Sequence, residues 1–298
     1  MRGLQTPVRA IRRQVFTEVA KLGFKANAET LVADMEAIPY EIVGEDSEVK
    51  YRESIYRARA VVRERLRLAM GLSLRPENKP VHLTAGVGAS NISEKYYEPP
   101  LMQVIPSGCE SCEENKYEVS NVCKGCLAHP CQEVCPRGAI SMVNGKSFID
   151  QDKCIKCGKC KSVCPYDAIA KKERPCKKAC GVNAITSDKL GRAYIDADKC
   201  VSCGMCMVSC PFGAISDKSQ IFQLARALSE GEEVVAEVAP AFVGQFGPNI
   251  NVRNFKAALE ELGFSETYGV ALGADIGAIA EAHHYVNKVT TGELPFLL

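Results

Sequence analysis

The chain has 298 residues, a formal net charge of +1 and 46% hydrophobic residues. This length accommodates two or three domains, and the near-neutral charge provides no overall field that would favour nucleic acid or a membrane surface. The N-terminus has no apolar signal-peptide core, and no uncharged apolar run approaches the ~18 residues of a membrane span. We therefore expect a cytoplasmic protein that binds no nucleic acid and has no membrane span.

Residues 1–80 are predicted to form a helical N-terminal region. Apolar residues recur with helical spacing at Val8, Ile11, Val15, Val19 and Leu22. Thr6 and Pro7 favour the start of this first helix, and Asn27 favours the start of a second, which is expected to end by 38–39 (Ile-Pro). A third helix is predicted over 47–70.

The predicted third helix is rich in arginine. Its arginines are Arg52, Arg57, Arg59, Arg63, Arg65 and Arg67. A nucleic-acid-binding helix is one interpretation, but the interspersed glutamates favour a solvated or partner-facing helix. Residues 81–122 follow as a proline-rich connector that contains Cys109 and Cys112.

All 16 cysteines lie between Cys109 and Cys210, and twelve of them form three closely spaced runs. The runs are Cys123-x2-Cys126-x4-Cys131-x3-Cys135, Cys154-x2-Cys157-x2-Cys160-x3-Cys164 and Cys200-x2-Cys203-x2-Cys206-x3-Cys210. This spacing is typical of ferredoxins with [4Fe–4S] clusters, in which the fourth cysteine serves the neighbouring cluster. Disulfides are disfavoured in a cytosolic chain with clustered cysteines. Zinc sites usually place a longer loop between two cysteine pairs.

Residues 123–218 contain an internal repeat, which predicts two tandem ferredoxin-like modules with two clusters each. The tails PRGAI and PYDAI of the first copy correspond to GVNAI and PFGAI of the second. If the first copy follows the ferredoxin swap rule, its eight cysteines form two sets of ligands. Site 1 consists of Cys123, Cys126, Cys131 and Cys164, and site 2 consists of Cys135, Cys154, Cys157 and Cys160.

The second copy lacks two ligands, because Ala168 and Lys171 stand at the positions that correspond to the first cysteine pair of the first copy. Its complete set, site 3, consists of Cys180, Cys200, Cys203 and Cys206. The remaining set, site 4, is predicted to consist of Cys109, Cys112, Cys176 and Cys210. The first two have the spacing of the missing pair, so four [4Fe–4S] clusters would use every thiolate. A separate zinc or redox pair at Cys109 and Cys112 is the alternative.

The segments between the runs are short apolar alternations, which predict small hairpin strands. Their side chains are expected to form a dry shell: Ile140, Val143, Ile149, Ile169, Ile185, Ile195 and Ile215. Lysines are dense nearby, at Lys153, Lys156, Lys159, Lys161, Lys171 and Lys172. They form either a solvated rim or a docking face for an acidic electron carrier. His129 lies in the first run, where we expect packing or a hydrogen bond to sulfur rather than ligation.

Residues 219–298 change in character. A strand is predicted over 234–238, a helix over 252–262, a second strand near 267–271 and a second helix near 276–289. This βαβα order is the opening of an α/β domain, and we expect the domain to be incomplete at the end of the chain. The predicted fold class is α+β, with N-terminal helices, tandem two-cluster ferredoxin-like modules and then the start of an α/β domain.

The chain resembles an [FeFe] hydrogenase of the branch that carries ferredoxin-like modules. Residues 234–247 (VVAEVAPAFVGQFG) resemble the opening strand of the catalytic domain of that family. Residues 255–276 (FKAALEELGFSETYGVALGADI) are similar to its first helix and second strand, and residues 291–298 (TGELPFLL) resemble the approach to its first active-site cysteine motif.

The resemblance implies reversible oxidation of molecular hydrogen, coupled to a ferredoxin or another low-potential electron carrier. The cysteines that bind the H-cluster in this family have no counterpart here, because no cysteine follows Cys210. We therefore assign no catalytic residue and expect the H-cluster only in a longer protein that continues beyond Leu298. The chain as given is expected to be the electron-relay part and to lack hydrogen chemistry by itself.

Two other functions remain open. A stand-alone polyferredoxin-type electron-transfer subunit would carry the same clusters, although it would not need the βαβα segment. An iron–sulfur redox sensor would use the arginine-rich helix as its output, and it predicts DNA binding that depends on salt and on cluster oxidation.

Overall fold

The computed structural model describes residues 5–25, 29–45, 52–91 and 99–295. The helices are α1 (Pro7–Lys25), α2 (Leu31–Ile42), α3 (Ile55–Ala69), α4 (Val87–Ser90), α5 (Pro130–Glu133), α6 (Lys159–Ser162), α7 (Pro175–Lys178), α8 (Met205–Ser209), α9 (Ile221–Glu230), α10 (Val252–Glu261) and α11 (Val270–His284). The strands are β1 (Met102–Val104), β2 (Lys116–Val119), β3 (Ile140–Val143), β4 (Lys146–Ile149), β5 (Ile169–Lys172), β6 (Ile185–Ser187), β7 (Ala193–Ile195), β8 (Ile215–Asp217), β9 (Val235–Val238) and β10 (Glu266–Gly269). No described helix is long and apolar enough to cross a bilayer.

The N-terminal helices α1, α2 and α3 share one apolar core. Helix α9, which follows the cysteine modules in the sequence, completes this core. Four of the five residues of the stripe predicted for α1 face this core, with Val19 fully buried, whereas Val8 is only partly buried. Phe222 of α9 is also fully buried among the same side chains. The predicted boundary at residue 219 therefore falls just before a helix that packs on the first helix of the chain.

The predicted start of α1 is confirmed, since the Thr6 hydroxyl oxygen accepts a hydrogen bond from the Arg9 amide at 3.3 Å. The predicted end of α2 is wrong. Pro39 lies inside this helix, which continues to Ile42. A proline inside a helix removes one backbone hydrogen bond, but Pro39 is buried and its carbonyl accepts a bond from Val43 at 3.2 Å. The predicted cap of the second helix, Asn27, lies outside the described residues. The third helix begins at Ile55.

The expectation that α3 is solvated or faces a partner is wrong. Arg59, Arg65 and Arg67 of this helix are all buried, with at most 8% of each residue exposed. They are buried at acceptable cost because backbone carbonyls accept their N–H groups. Arg67, for example, donates to the carbonyls of Ser73 and Leu83 at 2.9 and 2.6 Å. The redox-sensor hypothesis loses the exposed basic helix on which it depended.

Helices α1 and α9 cross closely at Gly23. A Cβ at this position would lie 2.6 Å from the Cβ of Ala225 and 2.7 Å from the Phe222 carbonyl oxygen. We expect Gly23→Ala to destabilise the helical core by about 1–3 kcal/mol, because the overlap outweighs the higher helix propensity of alanine. Thermal unfolding followed by circular dichroism measures this. Gly277→Ala, a helical position with open space around it, is the matched control, and an equal loss there would contradict the argument.

The two modules share a pattern of hairpins and edge strands. In the first module β3 and β4 form an antiparallel hairpin, and in the second β6 and β7 do the same, as the apolar alternations predict. The last strand of the first module, β5, pairs with β2, with Val119 opposite Ile169. Because β2 precedes the first cysteine run, each end of this module contributes one strand of a two-stranded sheet.

The second module takes its corresponding strand from upstream of the first. Strand β8 pairs antiparallel with β1, with Val104 opposite Ile215. The residues from β1 through Cys112 therefore lie against the second module, although the whole first module separates them in sequence. The region predicted as a connector thus contains two strands, β1 and β2, that belong to different sheets.

The dry shell around the cysteines is confirmed in part. Ile140, Ile149, Ile169, Ile185 and Ile215 are each at most 4% exposed. Val143 is 49% exposed, because it is the last residue of β3 and lies beside the tight turn to β4.

The C-terminal segment has the predicted βαβα order. Strands β9 and β10 are parallel, with α10 between them. The second helix begins at Val270 rather than near 276, since the run after Gly269 contains strong helix formers. Phe242 and Phe255 stack at 4.5 Å between ring centroids. Of the described residues after 231, Ala236 alone is buried, while Leu272 and Ile276 are about 60% exposed, so this segment has no enclosed core of its own.

Candidate metal centres

Three of the four predicted cysteine sets each line a single recess. The four thiols of site 1 line a recess of about 330 Å³, those of site 2 one of about 340 Å³, and those of site 4 one of about 330 Å³, each including its open mouth. For site 4, this brings together two residues that precede the first module and two that belong to the second. The structure thus shows the convergence that the predicted fourth set requires. The identity of the ligands stays a prediction.

Three cysteines of site 3, Cys180, Cys200 and Cys206, lie in one apolar cluster in the second module. Burial raises the pKa of Cys206 to about 11, and the neighbouring thiols of Cys200 and Cys203 add to that shift. The fourth member, Cys203, is therefore close enough to Cys206 to interact with it electrostatically.

The donor set fits a cubane cluster better than a bare ion. Within the described ranges, no three His, Cys, Asp or Glu side chains are arranged to hold one metal ion. A tetrahedral zinc ion draws four sulfurs to ~2.3 Å, whereas a [4Fe–4S] cluster takes one thiolate at each iron corner and spreads the four sulfurs apart. Soft thiolates around an apolar recess are the ligands that iron–sulfur clusters use.

The loop between the first two cysteines of each run has one backbone conformation. The residue before the second cysteine is left-handed in every case: Gly125 (φ 57°), Lys156 (φ 58°) and Ser202 (φ 54°). Ser111, between Cys109 and Cys112, has φ 47°. Non-glycine residues seldom adopt this conformation, so the remote pair shares a specific local structure with the three complete runs.

The cysteine before each repeated tail accepts a backbone hydrogen bond from an alanine four residues later. The Sγ atoms of Cys135, Cys164, Cys180 and Cys210 lie 3.3–3.4 Å from the amides of Ala139, Ala168, Ala184 and Ala214. These alanines are the fourth residues of the repeated tails. The residue before each alanine is left-handed, and it is Gly, Asp or Asn in every copy, the types that tolerate this conformation. Amide bonds to sulfur are one of the determinants of cluster potential.

Site 4 has two buried cysteines, Cys176 and Cys210, whereas each of the other three sets has one. Burial raises the pKa of Cys176 to about 12, and the nearby thiol of Cys210 raises it further. Burial also raises the pKa of Cys112, with contributions from Cys210 and Cys109. Such thiols are protonated at neutral pH, so metal binding here releases protons. At site 1, backbone amides of Ser147 and Gly125 lower the pKa of Cys123.

A buried arginine ties the Cys109–Cys112 loop to the second module. Arg174, 4% exposed, donates to the Cys112 carbonyl from Nε and Nη2 at 3.0 and 2.8 Å. It also donates to the Gly191 carbonyl at 2.7 Å and forms an ion pair with Glu114 at 2.9 Å. A planar guanidinium can serve several acceptors at once, so this one side chain fixes the remote loop beside Cys176.

The N-terminal helical region reaches site 4 through two more buried arginines. Arg52 donates to the carbonyls of Gly108 and Phe212 at 2.7 and 2.6 Å. Arg65 of α3 donates to the Gly213 carbonyl. Gly108 immediately precedes Cys109, and Phe212 and Gly213 follow Cys210. The N-terminal region therefore holds both loops of the site. This role of Arg52, Arg65 and Arg174 could not be predicted, because no periodicity or motif in the sequence distinguishes them from solvated arginines.

His129 has a backbone role. It is left-handed, with φ 40°, and precedes the short helix α5 that presents Cys131. Gly158 and Gly204 occupy the same place before the helices α6 and α8. At Gly158 a Cβ would lie 2.7 Å from the Tyr117 hydroxyl oxygen, which explains the need for glycine there.

The predicted lysine face is partly neutralised. Lys171 pairs with Glu173 at 2.5 Å, and Lys172 pairs with Glu118 and with Glu113. These pairs lie on the β2–β5 sheet of the first module. They favour the solvated-rim interpretation for this part of the lysine set, because a paired lysine adds little net charge to a docking face.

Comparisons with known proteins support the iron–sulfur interpretation. The family described as 4Fe-4S binding domain matches residues 148–170 and 193–216. The family described as iron only hydrogenase large subunit, C-terminal domain, matches residues 232–298. The first family covers parts of both modules, and the second covers the βαβα segment.

Individual relatives match the cysteine-rich region. An uncharacterized ferredoxin of Methanocaldococcus jannaschii is 38% identical over 65 residues, 22% of this chain and 39% of the relative. A probable iron-sulfur protein of the Frd operon of Proteus vulgaris is 32% identical over 108 residues, 35% of this chain and 62% of the relative. The electron transport protein HydN of Escherichia coli is 43% identical over 56 residues, 19% of this chain and 32% of the relative. The chain thus spans less than two thirds of each of these relatives.

These matches, together with the cysteine-lined recesses, identify an iron–sulfur protein that is related to iron-only hydrogenase large subunits. Its [4Fe–4S]-binding domains support a function in electron transfer. The mixed helix and small-sheet architecture is consistent with the α+β class predicted from the sequence.

Proposed function

We propose that this iron–sulfur protein is the electron-relay part of an [FeFe] hydrogenase, which interconverts hydrogen with protons and electrons and exchanges electrons with a low-potential carrier such as a ferredoxin. The observation that carries the relay function is that three of the predicted cysteine sets each line a separate recess. The hydrogenase assignment rests on the match of residues 232–298 to the large-subunit domain.

The residues of the chain would perform three tasks in this relay. The four cysteine sets would hold four [4Fe–4S] clusters, each of which supplies a one-electron couple. The amides of the repeated tails donate to cysteine sulfur, and the buried isoleucines exclude water from the sites. Both features lower the reorganisation that accompanies a change of charge and set the potential. The protein thus tunes position and potential, while the bound group provides the chemistry.

The native protein provides the test of the hydrogenase assignment. We expect the native protein, purified without oxygen from the organism that makes it, to reduce viologen dyes with hydrogen. A native protein that has its iron and no hydrogen turnover would refute the assignment.

That second result would instead support a stand-alone polyferredoxin-type protein. One observation favours this alternative: the curated relatives matched in the cysteine-rich region carry names that describe ferredoxins, iron-sulfur proteins and electron transport proteins. The segment 232–295 would then need another role, because a ferredoxin module requires no parallel β9–β10 pair with two helices.

A further inference from the structure

Site 4 is the one set whose loops are held by buried cations in the part of the chain that the structure describes. Arg52, Arg65 and Arg174 are each at most 9% exposed. Their partners include the carbonyls of Gly108, Cys112, Phe212 and Gly213. These carbonyls belong to the loops of three of the four site 4 cysteines, and Arg174 itself lies two residues before the fourth.

The cations at the other recesses are different. Lys124 lines the recess of site 1, and Arg137 and Lys159 line that of site 2. All three side chains are exposed to solvent. Water and salt screen a charge on an exposed side chain, whereas a charge inside the protein acts through a lower effective dielectric constant. The buried guanidinium groups therefore act on site 4 more strongly than these exposed cations act on sites 1 and 2.

Two carboxylates offset part of this positive charge. Glu110 pairs with Arg52 and with Arg57, both at 2.7 Å. Glu114 pairs with Arg174 at 2.9 Å and with Lys177 at 2.6 Å. Each carboxylate is thus shared by two cations and neutralises only part of their charge. Reduction of a cluster adds one negative charge, and net charge is a determinant of cluster potential.

We propose that the N-terminal helical region tunes the relay: its buried Arg65 and Arg52, together with Arg174, raise the reduction potential at site 4. The inference rests on the proposed function, since it requires a cluster held by the site 4 cysteines. It gives residues 52–69 a role that neither the cysteine runs nor the hydrogenase-like segment explains. Arg65 is a positioning and tuning residue, because it donates to the carbonyl of the Gly213 loop.

The test is a potentiometric titration of the full chain, purified without oxygen and followed by electron paramagnetic resonance. The signal that disappears in Cys112→Ala identifies site 4. Arg65→Gln is expected to lower the reduction potential of that signal by about 59 mV. For a one-electron couple, this shift lowers the reduced-to-oxidised ratio at a fixed potential about tenfold. Arg65→Lys retains the charge and is expected to shift it much less.

Glu110→Gln supplies a test of opposite sign. It removes a negative charge beside the same loop, so we expect the site 4 potential to rise while the other signals stay in place. A structural role alone would make both Arg65→Gln and Glu110→Gln lose iron without opposite shifts. Arg63→Gln is the matched control, because Arg63 lies on the same helix and bonds to Tyr40 at 2.8 Å.

Each outcome decides the inference. An unchanged or raised site 4 potential in Arg65→Gln would overturn it, as would equal shifts in Arg65→Gln and Arg65→Lys. If Arg65→Gln fails to fold, a lowered potential in Glu110→Gln overturns it independently. A wild-type protein with about twelve iron atoms and no site 4 signal would refute the fourth cluster itself. About sixteen iron atoms without charge-dependent shifts would refute only the tuning.

Discussion

Replacing Cys109 or Cys176 with alanine is expected to remove the same cluster. The two residues belong to segments on opposite sides of the first module, yet both line the site 4 recess. Each variant should contain about twelve iron atoms per chain instead of about sixteen, since each cluster holds four. Iron analysis of protein purified without oxygen gives the count, and electron paramagnetic resonance should show one signal missing from both variants.

Cys180→Ala is the matched control for this prediction. Cys180 lies four residues after Cys176 but belongs to the predicted site 3, so its replacement should remove a different signal. Different losses in the Cys109 and Cys176 variants would contradict the proposed pairing. Iron near twelve in the unmodified protein would mean that Cys109 and Cys112 form a separate pair, the alternative left open by the sequence.

Removal of the clusters with a chelator is expected to unfold the two modules and leave the N-terminal helices folded. The module sheets are two-stranded, with strands of three or four residues, and such sheets are marginal alone. Cysteines also make up much of their cores, so metal binding supplies folding energy. We expect amide hydrogen exchange in β2–β5 and β1–β8 to accelerate at least about a hundredfold, or about 3 kcal/mol of local stability.

The helical core provides the internal control for chelation. Its buried residues include Val19, Met35, Leu66 and Phe222, and it contains no cysteine among its described members. Amides in α1 and α9 should therefore remain protected when the iron is removed. Loss of protection throughout the chain, or none in the modules, would show that the clusters are not the main source of module stability.

Local patterns predicted the elements that local interactions determine. The spacing of the cysteines predicted the turns around each site, because thiols only a few residues apart in the chain can surround one site only if the backbone turns between them. The repeated tails predicted a common structure, and their alanine amides all bond to cysteine sulfur. Helix α1 was also predicted correctly from its apolar stripe, because apolar residues with helical spacing indicate the side of a helix that faces a core.

Elements that depend on distant partners could not be predicted in the same way. Pro39 would end an isolated helix, but packing in the helical core retains it inside α2. Helix α3 has the arginine-rich composition of a solvated helix. Its arginines can be buried only because carbonyls of distant segments accept their hydrogen bonds. The packing of α9 on α1 depends on the close approach at Gly23, and the sequence contains no signal for a contact across so many residues.

The sequence by itself determined the kind of chemistry, the likeness of the three cysteine runs to ferredoxin sites and the order of elements in the C-terminal segment. Cysteine spacing is a property of neighbouring residues, so it can be read without a fold. Only the tertiary structure decided that β1 pairs with β8, that Cys109 and Cys112 lie beside Cys176 and Cys210, and that buried arginines surround them. Those contacts arise from hydrogen bonds and burial between segments far apart in the chain, which no local pattern specifies.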